Sequence, residues 1–387
     1  MNILIEGWRG INHSYALVNQ WQITELIKSS NIAFKDVPFL KENWNTKKNN
    51  SGLDEKNQNI INNIEPPTNN LKYDITYRIS GPFNFDNNFQ SKLLFVFATC
   101  EFKYLKNESY TNGSPELLRG DKKFFIHTPS NWSKKGFLDA GFKDDQIIVI
   151  PHGVDTLNFD IVEDEEEKSL KEKLNINAEN FVLTNIGAMT QNKGIDLLVA
   201  AYGLLKKKFK HLKLILKDQS NLYDIKPNYV FNMLSESELN KKYKIINDAM
   251  LKDVIIISKN LNFNQIKKIY SITDCYISPY RGEGFNLTPL EAAACGTQII
   301  VTKGGSTDDY FDECLGFQIE SNEKKIDNSY LLEPKLGSLL EILENKIINK
   351  KDEFKKQRRD YVHNNFSWQK IVKDLKKEFE KKLNKNI

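Results

Sequence analysis

Cysteine is scarce in this chain of 387 residues, and no two cysteines form a C-x-x-C pair. Such isolated cysteines are expected to be small buried side chains in a reducing compartment. No apolar run reaches the ~18 residues that a membrane span needs. Residues 2–6 are expected to be the first strand and not part of a signal peptide. The sequence therefore predicts a cytoplasmic protein, with peripheral membrane contact as an open alternative.

Several cofactor-binding motifs are also absent. No G-x-G-x-x-G follows a predicted strand and no G-x-x-x-x-G-K-[ST] occurs, which argues against dinucleotide-dependent oxidoreductases and P-loop enzymes. There is no D-x-D, and His and Cys do not cluster with metal-ligand spacing. The sequence therefore predicts neither a cofactor nor a metal site. A bound nucleoside diphosphate would have to be neutralised by the protein alone.

The composition is that of a globular protein, with 40% hydrophobic and 27% charged residues and a net charge of +4. This balance of charges indicates either a solvated, lysine-rich surface or a basic face toward acidic lipid. We expect no nucleic-acid partner. Short apolar runs alternate with helical periods, which predicts an α/β fold with parallel sheets covered on both faces. The strand candidates are residues 2–6, 93–98, 124–127, 147–150, 181–186, 212–217, 254–258, 275–279 and 298–302.

The length suits two domains, which we place at residues 1–164 and 165–365. The acidic run from Glu163 to Glu167 is expected to be a surface connector between them. Residues 41–70 are polar and Asn-rich, which predicts a long loop or a partly ordered insertion.

The last segment, residues 366–387, carries apolar residues at helical spacing. This stripe predicts an amphipathic helix that docks on the core of the protein, back toward the first domain; a membrane-surface helix is the alternative. The stripe consists of Trp368, Ile371, Val372, Leu375, Phe379 and Leu383.

The most informative stretch lies near residue 280. Strand 275–279 runs into a glycine-bearing loop, and a helix begins around Thr288 and Pro289. The start of a helix presents unpaired N–H groups and about half a positive charge to an anion. We therefore expect a diphosphate to bind the amides of Leu287 and Thr288.

A second glycine-bearing turn, from Gly187 to Gly194, follows strand 181–186 and contains Lys193. In a doubly wound sheet this edge binds the ligand, so Lys193 is a candidate phosphate-binding cation. An ordinary surface lysine beside a turn glycine is the alternative.

Glu283 and Glu291 lie on either side of the helix start. Residues 288–291 match a capping box, in which case Glu291 would only cap its own helix. Eight residues of helix span ~12 Å. That distance is too long for the carboxylate pair of a retaining glycosidase, which needs ~5 Å.

The segment 283–296, EGFNLTPLEAAACG, resembles the E-x7-E signature of retaining, nucleotide-sugar-dependent glycosyltransferases of the GT-B fold. This is family 4 of the glycosyltransferases, related to glycogen synthase. Segments 127–133, 150–155, 187–194 and 366–368 resemble the same family in order and spacing. The resemblance implies two Rossmann-like, doubly wound domains facing across a cleft.

The resemblance also implies roles for individual residues. Lys193, Leu287 and Thr288 would contact the diphosphate, Glu283 the transferred sugar and Glu291 the ribose. Phe285 and Asn286 would contact the donor from the same loop as Glu283. Ser258 would lie near the base, and Gly10 would approach the donor from the first domain. Many members carry an arginine where this chain has Ala188. Phosphate binding would then rely more on Lys193, with Arg281 or Arg9 as further candidates.

On the acceptor side, His13 and Tyr15 follow the first strand and are acceptor-site candidates. A capping Ser14 and a packed Tyr15 are the alternatives. Glu101, just past strand 93–98, is a candidate for orienting an acceptor hydroxyl, with a surface glutamate as the alternative.

The implied reaction moves a hexose-type sugar from a UDP or GDP sugar to a hydroxyl of a glycan, glycolipid or protein glycan. It retains the anomeric configuration and needs no metal. A nucleotide-sugar epimerase of the same architecture and a non-catalytic binding scaffold are the alternatives.

Overall fold

The computed structural model describes residues 1–42, 44, 52–68, 70–349 and 352–385. Contacts divide the chain into two compact units. Unit 1 comprises Met1–Gly153 and Phe366–Ile387, and unit 2 comprises Val154–Asn365. The division lies ahead of the predicted boundary after residue 164, and the C-terminal segment belongs to unit 1.

The secondary structure alternates between strands and helices along the whole chain. The strands are β1 (Asn2–Gly7), β2 (Asn31–Asp36), β3 (Ile75–Ile79), β4 (Phe83–Asn84), β5 (Leu93–Phe97), β6 (Tyr110–Thr111), β7 (Phe124–Thr128), β8 (Ile147–Val149), β9 (Phe181–Ile186), β10 (Leu212–Lys217), β11 (Val254–Ile257), β12 (Cys275–Ser278), β13 (Gln298–Thr302), β14 (Gly316–Ile319), β15 (Ser321–Ile326) and β16 (Ser329–Pro334). The helices are α1 (Ser14–Leu26), α2 (Glu55–Asn62), α3 (Pro115–Leu118), α4 (Asn131–Asp139), α5 (Asp164–Lys173), α6 (Ile195–Lys208), α7 (Ser220–Tyr223), α8 (Pro227–Ser235), α9 (Glu238–Tyr243), α10 (Asp248–Leu251), α11 (Phe263–Ser271), α12 (Leu287–Ala294), α13 (Leu336–Ile348), α14 (Lys355–Phe366) and α15 (Trp368–Lys385).

The sheet of unit 1 has the strand order β2-β1-β3-β5-β7-β8, and all neighbouring strands are parallel. Strands β3, β5 and β7 are buried along their whole length, as strands covered on both faces must be. The strand order reverses between β1 and β3. In doubly wound sheets the ligand crevice lies at the carboxyl ends of the strands where the order reverses.

The sheet of unit 2 has the order β11-β10-β9-β12-β13-β14, again with parallel neighbours throughout. Counted within the sheet this is 3-2-1-4-5-6, the order of the dinucleotide-binding α/β fold. The order reverses between β9 and β12. Both units are therefore Rossmann-like, and the predicted fold class is confirmed.

The C-terminal helix α15 packs on unit 1 through its apolar stripe. The ring of Phe379 lies 4.5 Å from that of Phe95, measured between centroids, and Trp368 packs against Gly153. A Cβ atom at Gly153 would lie 2.6 Å from the Trp368 ring, so no larger residue fits there. The apolar stripe predicted for this segment thus packs against the sheet of unit 1.

All nine predicted strands are present, but one sequence prediction was wrong in detail. The acidic run that was expected to be a connector forms the start of helix α5, where carboxylates are stabilised by the helix dipole. Residues 41–70, expected to be a long loop or a partly ordered insertion, contain helix α2. Asp54 caps that helix by accepting a hydrogen bond from the Asn57 amide at 2.8 Å, and Ile61 is fully buried. Residues 43, 45–51 and 69 of the segment lie outside the described residues.

Within the described part of the chain, no helix is both long and apolar enough to cross a membrane.

Candidate functional site

The turn that carries Lys193 packs closely against the end of β12. After β9 the chain forms a short 3-10 turn, Gln191–Lys193, and Gly194 then begins α6 with φ of 68°. A Cβ atom at Gly194 would lie 1.9 Å from the Pro279 carbonyl oxygen, so only glycine permits this approach. The Arg281 amide donates to the Asn192 carbonyl at 2.6 Å and joins the two loops.

Lys193 and Glu283 form an ion pair between these two loops. Glu283 is 6% exposed, and the ammonium of Lys193 contacts its Oε1 atom. The loops follow β9 and β12, the two strands between which the sheet order reverses. The structure thus brings together two residues that the sequence predicted for the donor site, at the edge where such sheets bind ligands.

Helix α12 begins in the same loop through an unusual backbone conformation. Asn286 precedes the helix with φ of 67°, a left-handed geometry that asparagine tolerates better than most residues. Its side-chain amide donates to the Ser278 hydroxyl at 2.8 Å, and its carbonyl accepts from the Tyr310 hydroxyl at 2.9 Å. These bonds fix the helix start and hence the amides of Leu287 and Thr288, which have no intrahelical acceptor.

Two further side chains of this region have defined surroundings. Phe285 is buried, and its ring lies 5.2 Å from that of Tyr310. The hydroxyl groups of Thr288 and Tyr276 are 2.7 Å apart. The loop is therefore held by packing and hydrogen bonds on its protein side.

Glu291 does not cap its own helix, so the capping-box alternative is wrong. The N-cap is Asn286, two residues before Thr288, and no side chain caps the helix start. The Glu291 carboxyl group instead accepts a hydrogen bond from the Tyr270 hydroxyl at 3.1 Å. Burial, with a smaller contribution from the charge of Asp155, raises the pKa of Glu291 to about 8 against the opposing effect of the Tyr270 hydrogen bond. A ribose contact stays a prediction.

The two arginines considered for phosphate binding are both engaged with carboxylates. Arg281 binds Asp196 through two hydrogen bonds of 2.7 Å and also donates to the Gln191 carbonyl at 2.8 Å. Arg9 binds Asp36 through bonds of 2.9 and 2.8 Å. Their charges are therefore largely balanced within the protein.

Ser258, predicted to lie near the base, follows β11 at the carboxyl edge of the same sheet. Its hydroxyl donates to Oδ2 of Asp218, a fully buried carboxylate, at 2.5 Å. Oδ1 of Asp218 accepts from the Ser220 amide at 2.9 Å. A cavity beside this edge is lined by Asn221, Ile256, Ile257, Ser258 and Lys259.

In unit 1, Gly10 adopts φ of 80°, and its N–H group donates to Oε1 of Gln20 at 2.9 Å. Sequence reasoning missed this partner, because Gln20 comes from the next helix, where it is fully buried. The only signal was a glutamine at a position of α1 that faces the core.

His13 is the N-cap of α1, a role that we had considered for Ser14. Its Nδ1 atom accepts a hydrogen bond from the Tyr15 amide at 3.2 Å, and its ring lies within 5.3 Å of those of Trp8, Tyr15 and Trp44. Burial lowers the pKa of His13 to about 4, so the imidazole is neutral at pH 7.

Tyr15 packs in unit 1, and its hydroxyl lies 2.8 Å from that of Thr99, which follows β5. Glu101 lies two residues further along, and its carbonyl accepts from the Trp132 indole at 2.8 Å. His13 and Tyr15 thus contact each other, and Tyr15 contacts the segment that follows β5. Their roles stay predictions.

Within the described residues, no group of three or more His, Cys, Asp or Glu side chains is placed to hold a metal ion.

Comparison with known proteins bears on the same region. Residues 166–329 match the family model described as Glycosyl transferases group 1. A mannosylfructose-phosphate synthase from Agrobacterium fabrum is 27% identical over 167 residues, 43% of this chain and 35% of that protein. The uncharacterized glycosyltransferase MJ1069 from Methanocaldococcus jannaschii is 24% identical over 292 residues, 75% of this chain and 66% of that protein.

A solved structure extends the likeness to the fold of both units. The Anabaena protein HepE, in complex with UDP and glucose, superposes with a TM-score of 0.65 at 14% identity, covering 98% of this chain and 99% of that one. Residues 166–329 are therefore similar to group 1 glycosyl transferases, and both units share the fold of HepE. The segment that matches the family model includes both Lys193 and Glu291. The curated relatives are spanned only in part, by 35% and 66% of their lengths. The matches do not favour the epimerase or the binding-scaffold alternative.

Proposed function

We propose that this protein transfers a hexose-type sugar from a UDP or GDP sugar to a hydroxyl of a glycan, glycolipid or protein glycan. Transfer is proposed to retain the anomeric configuration and to need no metal or other cofactor, as expected for an E-x7-E enzyme of family 4. A cytoplasmic location with peripheral membrane contact belongs to the same proposal. The free cysteines Cys100, Cys275 and Cys295, all buried, suit a reducing compartment.

The observation that carries the proposal is the contact between Lys193 and Glu283 beside the start of α12. A cation, a carboxylate and the amino end of a helix occupy one edge of a Rossmann-like sheet, where its strand order reverses. This set of groups suits a sugar attached to a diphosphate, because the phosphates need positive charge and the sugar hydroxyls need an acceptor. The UDP bound to HepE supports a nucleotide donor of this kind.

In the proposed reaction, negative charge develops on the diphosphate as the bond to the sugar breaks. Lys193 and the amides of Leu287 and Thr288 would meet that charge in fixed positions, which lowers the barrier without reorganisation during the reaction. Glu283 would accept hydrogen bonds from the transferred sugar. Glu291, protonated at pH 7 because of its raised pKa, would both donate to and accept from the ribose hydroxyls.

On the acceptor side, Glu101 would orient the attacking hydroxyl, with His13 and Tyr15 beside it. His13 is neutral at pH 7 and would therefore not attract a phosphate by charge. The Gly10 amide is bonded to Gln20, so Gly10 would serve by offering no side chain to clash with the donor.

The test is sugar transfer from UDP- and GDP-hexoses to a panel of glycan and glycolipid acceptors, with the anomeric configuration of the product read by NMR. Lys193→Ala should lower turnover on the order of 10²–10³-fold, by analogy with removal of a fixed oxyanion donor. Lys168→Ala, an exposed lysine of α5, is the matched control and should leave turnover unchanged. Turnover of Lys193→Ala within tenfold of the parent would remove Lys193 from this role. An inverted product would exclude the retaining reaction.

A further inference from the structure

A second lysine of unit 2 is buried at the carboxyl edge of the sheet. Lys217 is the last residue of β10 and is 3% exposed. Its ammonium donates to the carbonyl of Asp218, the residue directly beyond the strand. The charge therefore lies at the edge of the sheet where the strand ends, and not within the apolar layer below it.

Lys217 lies next to the turn that carries Lys193. In the ladder between β9 and β10 it pairs with Ile186, the last residue of β9. The amide of Gly187, which opens the lysine turn, donates to the Lys217 carbonyl at 3.0 Å. Ala188 follows at once, where the resemblance leads us to expect an arginine. The cation Lys217 on β10 therefore lies one strand away from the turn in which Ala188 stands in place of the expected arginine.

Two other cations near the lysine turn are already neutralised. Lys193 pairs with Glu283, and Arg281 pairs with Asp196. For Lys217, in contrast, no carboxylate of the described residues forms an ion pair with the ammonium.

The nearest acid to Lys217, Asp218, does not pair with it directly. The two carboxylate oxygens of Asp218 accept from Ser258 and Ser220 instead. Asp218 thus stabilises the charged form of Lys217 only by electrostatic attraction, without a direct ion-pair contact.

An ammonium buried without an anionic contact costs free energy. Burial accordingly lowers the pKa of Lys217 from its ordinary value, and the charge of Asp218 opposes the shift. Groups held in such a state at a ligand-binding edge are candidates for binding the ligand, because the missing counter-charge arrives with it.

We infer that Lys217 binds the diphosphate of the donor as a second cation beside Lys193. The inference rests on the proposed function and deepens it. Since the Lys193–Glu283 and Arg281–Asp196 pairs are each neutral, Lys217 supplies the net positive charge that a pyrophosphate requires. An ammonium has three donors and no acceptor and acts as a point charge, which suits phosphate oxygens better than the mixed donors and acceptors of a base.

The test compares the parent with Lys217→Met, using calorimetry with UDP or GDP, whichever raises the melting temperature of the parent. Inorganic pyrophosphate is then titrated as a competitor, because it carries the charge of the donor without the base. We expect Lys217→Met to weaken binding of the nucleotide and of pyrophosphate alike, by about 10- to 100-fold. Without ligand, the variant should melt at a higher temperature than the parent, because a buried charge has been removed.

Lys213→Met is the matched control, since Lys213 lies on the same strand away from the carboxyl edge and pairs with Asp253. It should leave both affinities unchanged. Unchanged affinities in Lys217→Met would overturn the inference and leave the proposed function standing. A loss for the nucleotide without a loss for pyrophosphate would assign Lys217 to the base and also overturn it. A parent that binds neither nucleotide would instead contradict the proposed function itself.

Discussion

At the scale of single residues, the candidate site depends on how charges are paired. Glu283 and Lys193 are far apart in sequence, yet the reversal of strand order between β9 and β12 brings their loops together. The motifs in the sequence singled out both residues as candidates. Their direct contact was not predictable, because it depends on the approach of Gly194 to Pro279 across two loops.

Partners that come from distant parts of the chain were missed for the same reason. Tyr270 binds Glu291, and Gln20 binds the Gly10 amide, although neither belongs to a motif. A motif specifies the residues that meet a ligand. The residues that hold them in place are chosen by packing, which a single sequence does not reveal.

The raised pKa of Glu291 leads to a prediction about stability. A carboxyl group with a pKa of about 8 in the folded protein and about 4.5 in the unfolded chain binds its proton more tightly when folded. Its contribution to stability is complete below about pH 4.5 and is lost as pH rises toward about 8. Glu291→Gln cannot lose a proton, so its stability relative to the parent should rise with pH across that window.

Urea unfolding of both proteins between pH 4.5 and 8 measures this difference. The slope is at most about 1.4 kcal/mol per pH unit, the limit for one proton. Glu313→Gln, at an exposed position, is the control and should show no such slope. A constant difference between Glu291→Gln and the parent would mean that Glu291 titrates normally.

At the scale of secondary-structure elements, burial decided which strands could be predicted. Strands β5, β9 and β13 are apolar runs buried on both faces, and their positions were evident from the sequence. The edge strand β2 was missed because only its two central residues are buried, between polar residues at both ends. Strand β3 was missed because it contains Arg78, which is buried and paired with Glu6 at 2.8 Å.

The lysine turn offers a prediction at this scale. Gly194→Ala would force a Cβ atom against the Pro279 carbonyl and strain a left-handed backbone, so the turn should move away from β12. We expect a loss of about 1–3 kcal/mol in the free energy of unfolding, together with loss of nucleotide binding. Thermal unfolding and calorimetry measure the two effects.

Gly337→Ala is the matched control for this substitution. Gly337 lies in α13, and no atom is within 4 Å of the Cβ that alanine would add. It should be neutral or stabilise the protein by about 0.5–1 kcal/mol, because alanine is the better helix former. If Gly194→Ala equals the parent in stability and in nucleotide affinity, then neither property needs the close approach of Gly194 to the Pro279 carbonyl.

At the scale of the whole molecule, unit 1 is completed by the last helix of the chain. Phe379→Ala should destabilise unit 1 by about 3–5 kcal/mol, because the ring is fully buried against Phe95 and Tyr77. Lys373→Ala, exposed on the same helix, should change stability by less than about 0.5 kcal/mol. Hydrogen exchange resolves the effect by unit.

In that experiment, amides of β3 and β5 should exchange faster in Phe379→Ala, while those of β9 and β13 in unit 2 should keep the protection of the parent. Equal acceleration in both units would contradict the division of the chain into two compact units. No change in β3 and β5 would show that α15 does not support the sheet of unit 1.

The proposed reaction also carries a prediction for the whole protein, because its diphosphate is neutralised by side chains and backbone alone. Transfer activity should survive dialysis against EDTA, measured with the donor and acceptor that the parent accepts. Complete loss that Mn²⁺ or Mg²⁺ restores would contradict the metal-independent reaction.

The order of the chain has a consequence for synthesis on the ribosome. Unit 2 is one uninterrupted stretch, Val154–Asn365, whereas unit 1 is split and includes α15. As a nascent polypeptide emerges from its N-terminus, unit 2 has all of its residues before unit 1 does. The apolar surface around Phe95 therefore stays uncovered until α15 has been synthesised, which favours chaperone binding to partly synthesised chains at that surface.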